Sequence, residues 1–156
     1  MKEVRTEIEI DASPAHVWQV LTDFASYPCW NPYVKSIEGT LAPGERLTIV
    51  VQPGADKART VHPKVLCVDP GKSFVWRSHH CIPGLVDAMH CFDVEPLELG
   101  RTRFVHREIF RGFLSSIMAR HCAGSRCGFE EMNRAIKVAA EWLALPGKCL
   151  KKCSTG

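Results

Sequence analysis

Residues 4–24 read VRTEIEIDASPAHVWQVLTDF, and this stretch predicts a strand that leads directly into a helix. Up to Ile10, charged side chains alternate with side chains suited to a core, a pattern typical of a strand with one buried face. Ser13 and Pro14 then supply a helix N-cap and a proline at the first helical position. The stretch therefore predicts a half-buried strand and a short amphipathic helix, whose apolar residues are Val17, Val20, Leu21 and Phe24.

The rest of the chain predicts mainly strands and then one long helix. After a second short helical segment, which Pro28 and Pro32 interrupt, strands are expected at 34–39, 45–52, 59–68, 73–81, 87–95 and 101–111. Turn residues such as Pro43-Gly44 separate them, and short links favour antiparallel pairing. Apolar residues then recur at helical spacing over 129–143, and residues 113–123 could begin the same helix.

These elements predict an α+β fold. A seven-stranded antiparallel sheet would curl around the long C-terminal helix, with two short helices after the first strand. Residues 1–145 are expected to form a single domain, and residues 146–156 a flexible polar tail. Trp30, Trp76 and Trp142 are expected to be largely buried.

Composition excludes several classes of protein. Among 156 residues, 46% are hydrophobic and the net charge is only +3, which is too weak to indicate nucleic-acid binding. No apolar run approaches the roughly 20 residues of a membrane-spanning helix, so we expect no stable membrane insertion and a cytoplasmic location. The eight cysteines are expected to be reduced, because the chain lacks the apolar N-terminal stretch of a secretory signal and so is expected to be cytosolic. We expect no cofactor.

Several motifs resemble one known family. They are Ile10–Trp18, Leu21–Pro28, Trp30–Pro32, Pro83–Leu85, Thr102–Glu108 and Gly128–Asn133. Together they are similar to the SRPBCC superfamily, also called START-like or polyketide cyclase/dehydratase and lipid-transport proteins. The resemblance covers roughly residues 3–144. It implies a helix-grip fold with an internal cavity for a hydrophobic ligand, and it leaves function open because that fold serves carriers, enzymes and binding helpers.

Strand phase predicts which residues point into this cavity. On the strand 101–111, three arginines share one face, and burying them would be costly, so the opposite face with His106 and Glu108 should point inward. On the preceding strand, Asp93 and Glu95 should lie outside, which turns His90 inward. A turn near residue 98 then places His90 opposite His106 or Glu108. The sequence thus predicts a cluster of these three polar side chains inside an apolar cup.

Other residues complete the predicted ligand site. The strand 73–81 contributes Trp76 and His80 if Arg77 points outward, while Trp30 and Tyr33 could form the wall or mouth of the cavity. The full predicted ligand-binding set is Trp30, Trp76, His80, His90, Phe92, Phe104, His106, Glu108, Phe110, Met132 and Ile136.

The polar cluster allows four interpretations. His90, His106 and Glu108 could be a structural group, recognise a ligand's polar end, perform acid–base catalysis, or hold a metal ion. Strand pairing alone gives no metal geometry, so no metal site is predicted. The leading functional interpretation is binding or carriage of a small, lipid- or polyketide-like hydrophobic molecule. The alternatives are a cyclase/dehydratase-type enzyme that uses the same three residues and a regulatory helper that binds a partner protein.

Overall fold

The computed structural model describes residues 2–52, 57–79, 87–112 and 125–150. Its strands are β1 (Lys2–Ile10), β2 (Val34–Glu38), β3 (Thr48–Val51), β4 (Arg59–Val61), β5 (Lys64–Asp69), β6 (Ser73–His79), β7 (Asp87–Pro96) and β8 (Thr102–Arg111). Its α-helices are α1 (Pro14–Thr22), α2 (Tyr27–Trp30) and α3 (Ser125–Leu143), and two 3₁₀ turns span Phe24–Ser26 and Glu98–Gly100.

The strands form two antiparallel sheets. The larger has the order β1-β8-β7-β6-β5, and the smaller has the order β2-β3-β4. An isolated bridge between Arg46 and Lys64 links the two where the chain passes from β4 to β5. The observed architecture is the predicted α+β fold, in which a large antiparallel sheet is paired with a long C-terminal helix, but the described strands form a five-stranded and a three-stranded sheet instead of the single seven-stranded sheet expected.

The strand count differs from the prediction because the expected strand 59–68 is divided. The described residues contain eight strands, since β4 ends at Val61 and β5 begins at Lys64. Pro63 lies in the gap and has no backbone N–H to donate to a strand ladder. The chain changes sheets at this proline, so what reads as one strand serves both sheets.

Local capping explains how the first helix begins. The Ser13 hydroxyl accepts a hydrogen bond from the His16 backbone N–H at 3.3 Å, and Pro14 occupies the first turn. Val17, Val20 and Leu21 are buried, as the amphipathic pattern predicts. The helix therefore packs its apolar face into the core.

The C-terminal helix covers the large sheet. Met132, Ile136 and Ala140 are buried in the main apolar core. Polar contacts also tie α3 to the end of β1: Glu141 Oε1 accepts from the Asp11 backbone N–H at 2.9 Å, and Lys137 Nζ donates to the Glu9 carbonyl at 2.9 Å. The predicted helix over 129–143 is confirmed, whereas 113–123 lies outside the described residues.

Two expectations about single residues are wrong. Trp142 is 36% exposed, because it lies near the end of α3 with the Lys148 ammonium 5.6 Å from the centre of its ring. Cys29 is disulfide-bonded, whereas Cys67, Cys91 and Cys149 are free thiols. The expectation that all eight cysteines are reduced fails because residue spacing along the chain does not show which thiols meet in the fold. Trp76 is buried, and Trp30 is only partly buried.

Candidate functional site

Two rows of side chains cross the inward face of the large sheet. In one row, Trp76 of β6 pairs with His90 of β7, and His90 pairs with Glu108 of β8. In the next row, Phe74, Phe92 and His106 occupy the corresponding positions. Because inward positions recur every second residue, these pairings bring the predicted polar residues side by side.

His90 and Glu108 are in direct contact. The His90 Nε2 to Glu108 Oε1 distance is 2.9 Å, and the two side chains are 22% and 6% exposed. The register therefore selects the second of the two predicted partners, because His90 faces Glu108 rather than His106. A carboxylate bonded to an imidazole can accept hydrogen bonds and exchange a proton.

His106 lies between two aromatic rings. Its ring centre is 4.6 Å from that of Phe92 and 4.1 Å from that of Phe129. The residue is 2% exposed, and neither ring nitrogen has a hydrogen-bond partner within the described parts of the chain. The ring is therefore held by stacking rather than by polar contacts.

Burial sets the protonation state of His106. Desolvation is the main cause that lowers its pKa well below 6.5, and the nearby His90 lowers the pKa further. The nearby Asn133 side chain raises the pKa of His106, although it forms no hydrogen bond with either nitrogen of the ring among the described residues. The imidazole is consequently neutral at physiological pH.

Asn133 supports the strand beneath this histidine. Its Nδ2 donates to Thr6 Oγ1 at 3.1 Å, and Thr6 Oγ1 in turn donates to the His106 carbonyl at 3.4 Å. All three residues are buried. This chain of hydrogen bonds connects α3, β1 and β8 directly under the polar cluster.

A cavity of about 90 Å³ lies between both sheets and α3. Aliphatic side chains of β2, β3 and β4 form one wall, and aromatic and polar side chains of β6, β7, β8 and α3 form the other. Its lining residues are Tyr27, Tyr33, Val34, Ile49, Val51, Arg59, Val61, Trp76, Ser78, His90, Phe92, His106, Glu108, Gly128, Phe129 and Met132.

Part of the predicted ligand-binding set lines this cavity. These residues are Trp76, His90, Phe92, His106, Glu108 and Met132. Phe104, Phe110 and Ile136 are fully buried in the core and do not line it. His80 lies outside the described residues.

Trp30 lies away from this cavity, in an outer groove that we call the α3 groove. Its lining consists of Ser26, Cys29, Trp30, Ala135, Val138, Ala139, Trp142 and Leu150. Trp30 Nε1 donates to Ser26 Oγ at 3.2 Å, which turns the indole toward this surface. The partner-binding interpretation of the sequence would use this apolar groove.

The prediction did not include the wall formed by the small sheet. Val34, Ile49, Val51 and Val61 alternate with outward residues on β2, β3 and β4, and this period could have identified them. Tyr27 also lines the cavity, but its hydroxyl donates to the Leu21 carbonyl at 2.8 Å, and burial raises its pKa. The Tyr27 hydroxyl therefore has a structural role.

Gly128 leaves space for Tyr33 at the edge of the cavity. A Cβ atom on Gly128 would lie 3.0 Å from Cδ2 and 3.2 Å from Cε2 of the tyrosine ring. Carbon atoms rarely approach so closely, so any larger residue would displace Tyr33.

Two further properties concern the described residues alone. Within 2–52, 57–79, 87–112 and 125–150, no three histidine, cysteine or acidic side chains are grouped so that they could hold a metal ion. In those same ranges, no helix combines the length and apolar composition that crossing a membrane requires.

Known structures share this fold. The Zhui aromatase/cyclase from a Streptomyces species matches with 18% identity and a TM-score of 0.72, covering 95% of this chain and 99% of its own. A START superfamily protein from Mycobacterium smegmatis matches with 18% identity and a TM-score of 0.69, covering 90% and 98%. The di-domain ARO/CYC protein BexL, from the BE-7585A biosynthetic pathway, matches with 17% identity and a TM-score of 0.72. This match covers 94% of the present chain and 48% of BexL.

Sequence comparison supplies the family. No curated protein matches the chain. The chain spans about half the length of BexL, so the match describes one START-like unit rather than a whole two-domain protein. The family model described as polyketide cyclase / dehydrase and lipid transport matches residues 1–137. The chain therefore belongs to the polyketide cyclase/dehydrase and lipid transport family.

Proposed function

We propose that this protein binds a small hydrophobic molecule in the cavity between its two sheets and α3. One observation carries the proposal: a largely apolar cavity contains the pair formed by the partly buried His90 and the buried Glu108, with 2.9 Å between Nε2 and Oε1. Apolar walls that surround a few placed polar groups are the usual composition of a small-molecule site. The walls would bury the ligand's apolar body, and the pair would meet its polar group.

Native mass spectrometry of freshly purified protein tests this proposal. We expect a non-covalent adduct that organic extraction removes and that a cavity-filling variant, Val61→Phe, lacks. Thr60→Phe is the matched control, because Thr60 lies on the opposite face of the same strand and does not line the cavity. Equal adduct in both variants, or none in the wild type, would contradict the proposal.

A second candidate is an enzyme that moves protons on a ligand in the same cavity. The contact between an imidazole and a carboxylate in a poorly hydrated site favours it, because such a pair can act as an acid and a base. Incubation with the extracted molecule should then yield a product that differs in chromatographic retention, with unchanged mass for an isomerisation or with the mass of one water lost for a dehydration. His90→Asn should abolish that conversion while binding remains, and a ligand that wild-type protein returns unchanged would contradict catalysis.

A further inference from the structure

We propose that the ligand presents an uncharged hydroxyl to Glu108 and that molecules with an anionic group at that end bind poorly. This inference rests on the proposed function and names the chemistry of the ligand's buried end. It follows from what Glu108 can accept, from the charges around it and from the space beside it.

Among the residues that the structure describes, the contact with His90 fills only part of the acceptor capacity of Glu108. A carboxylate has two oxygens and about four acceptor positions. His90 Nε2 engages Oε1 at 2.9 Å, and the Glu108 side chain lines the cavity. A ligand that reaches Glu108 must therefore offer a hydrogen-bond donor, because an acceptor or a methyl group would leave buried carboxylate positions unpaired.

The surrounding charges disfavour an anion. His106 is neutral, and its neighbours Phe92 and Phe129 carry no charge. The imidazole of His90 is already bonded to Glu108 Oε1. Arg59 is a cation on the cavity wall, but its side chain is exposed on β4 of the small sheet, whereas Glu108 is buried on β8 of the large sheet. A second carboxylate next to Glu108 would meet like-charge repulsion in a site of low dielectric constant.

The volume limits what fits at this end. A dry cavity of about 150 Å³ can hold one benzene molecule. The cavity here measures about 90 Å³ and reaches the exposed Arg59. Because 90 Å³ is less than that benzene cavity, a ring whose hydroxyl reaches Glu108 fits only if the rest of the ligand extends toward the opening near Arg59.

Three single-ring probes test the inference by isothermal titration calorimetry. They are 4-ethylphenol, 4-ethyltoluene and 4-ethylbenzoate, which differ only in hydroxyl, methyl or carboxylate. We expect wild-type protein to bind 4-ethylphenol at least about tenfold more tightly than either other probe, as a hydrogen bond to a charged group allows. In Glu108→Gln, 4-ethylphenol should bind more weakly and 4-ethylbenzoate more tightly.

Arg107→Ala is the control, because Arg107 lies on the outer face of β8 and bonds to Asp93. It should leave all three affinities unchanged. Opposite shifts of phenol and benzoate in Glu108→Gln separate a specific effect from general damage. Equal binding of the phenol and the toluene, or tightest binding of the benzoate, would overturn the inference while the proposed function survives. Binding of none of the three would overturn the inference, whereas the proposed function would fall only if wild-type protein also carried no extractable adduct.

Discussion

At the scale of single residues, His106 combines full burial with a neutral ring. Desolvation, and then the proximity of His90, hold its pKa below the ordinary 6.5. In the unfolded chain the same imidazole takes up a proton as the pH falls below that value. The unfolded state therefore binds more protons than the folded state in this range, and stability must decrease as the pH falls.

His106→Phe should reduce this pH dependence. The variant keeps a ring between Phe92 and Phe129 but removes the titrating group, which can contribute up to about 1.4 kcal/mol per pH unit below the unfolded pKa. Urea unfolding between about pH 8 and about pH 5 measures the effect. His62→Gln is the control, because His62 is exposed. Parallel pH profiles for wild type and His106→Phe would contradict the assignment.

The His90–Glu108 pair should be energetically coupled. His90→Ala leaves the buried Glu108 unpaired, which typically costs about 1–3 kcal/mol in the free energy of unfolding. Glu108→Ala leaves the partly exposed His90 unpaired and should cost less, because water can reach that ring. The double variant should cost less than the sum of the two single variants. Arg107→Ala removes a more exposed ion pair and should cost about 1 kcal/mol or less. Strict additivity would show that the contact contributes nothing.

The phase of β8 could be predicted because its arginines are incompatible with the core. With the arginines outside, His106 and Glu108 are predicted to point inward, and both are buried. The partner of His90 could be narrowed only to two residues, since register depends on the turn at Glu98–Gly100, where Leu99 adopts a φ of 59°. Tyr33 lines the cavity as expected, but sequence spacing could not show that Arg59, on the short strand β4, lines it too.

At the scale of elements, the approach of α3 to Tyr33 sets the width of the cavity. Gly128→Ala places a methyl group 3.0 Å from the Tyr33 ring, which must move. Alanine also favours the helix by up to about 1 kcal/mol, so binding should weaken without a matching loss of stability.

Calorimetric titration of 4-ethylphenol into Gly128→Ala and into the control Arg134→Ala measures the change in binding affinity. Arg134 is exposed on the same helix, and its replacement should leave affinity unchanged. We expect at least a severalfold loss of affinity in Gly128→Ala. Unchanged affinity in that variant would show that Tyr33 does not control the space available to a ligand.

The division between β4 and β5 shows a limit of pattern analysis. Both strands have ordinary strand residues, but Pro63 interrupts the ladder and directs the chain into the second sheet. Trp142 shows another limit: helical periodicity identifies the buried face of α3, whereas exposure near the helix end depends on which elements lie alongside it. The boundary between these strands and the exposure of residues near the helix end therefore could not be predicted from the sequence pattern.

At the scale of the whole molecule, α3 closes both the core and the cavity. Its residues Phe129 and Met132 line the cavity, while Ile136 and Ala140 fill the core. The fold could be predicted because the order of elements and the family motifs agree. The ligand could not, because this fold supports many functions through different cavity linings.

Deletion of residues 129–143 should prevent folding. The deletion exposes the apolar face of the large sheet, and the lost burial exceeds the roughly 5–15 kcal/mol by which a whole domain is stable. Circular dichroism during heating should show no cooperative transition. A truncated protein that melts cooperatively would contradict the role assigned to α3.

The most direct test of the proposed site is an intermolecular NOE experiment on protein with ¹³C-labelled methionine methyl groups, titrated with 4-ethylphenol. Met132 lines the cavity, whereas Met89 lies on β7 at a position whose side chain points to the outer face of the sheet. Binding in the cavity predicts NOEs between the aromatic protons of the probe and the methyl group of Met132, with none to Met89. NOEs to Met89 without any to Met132 would place the ligand outside the cavity and contradict the account.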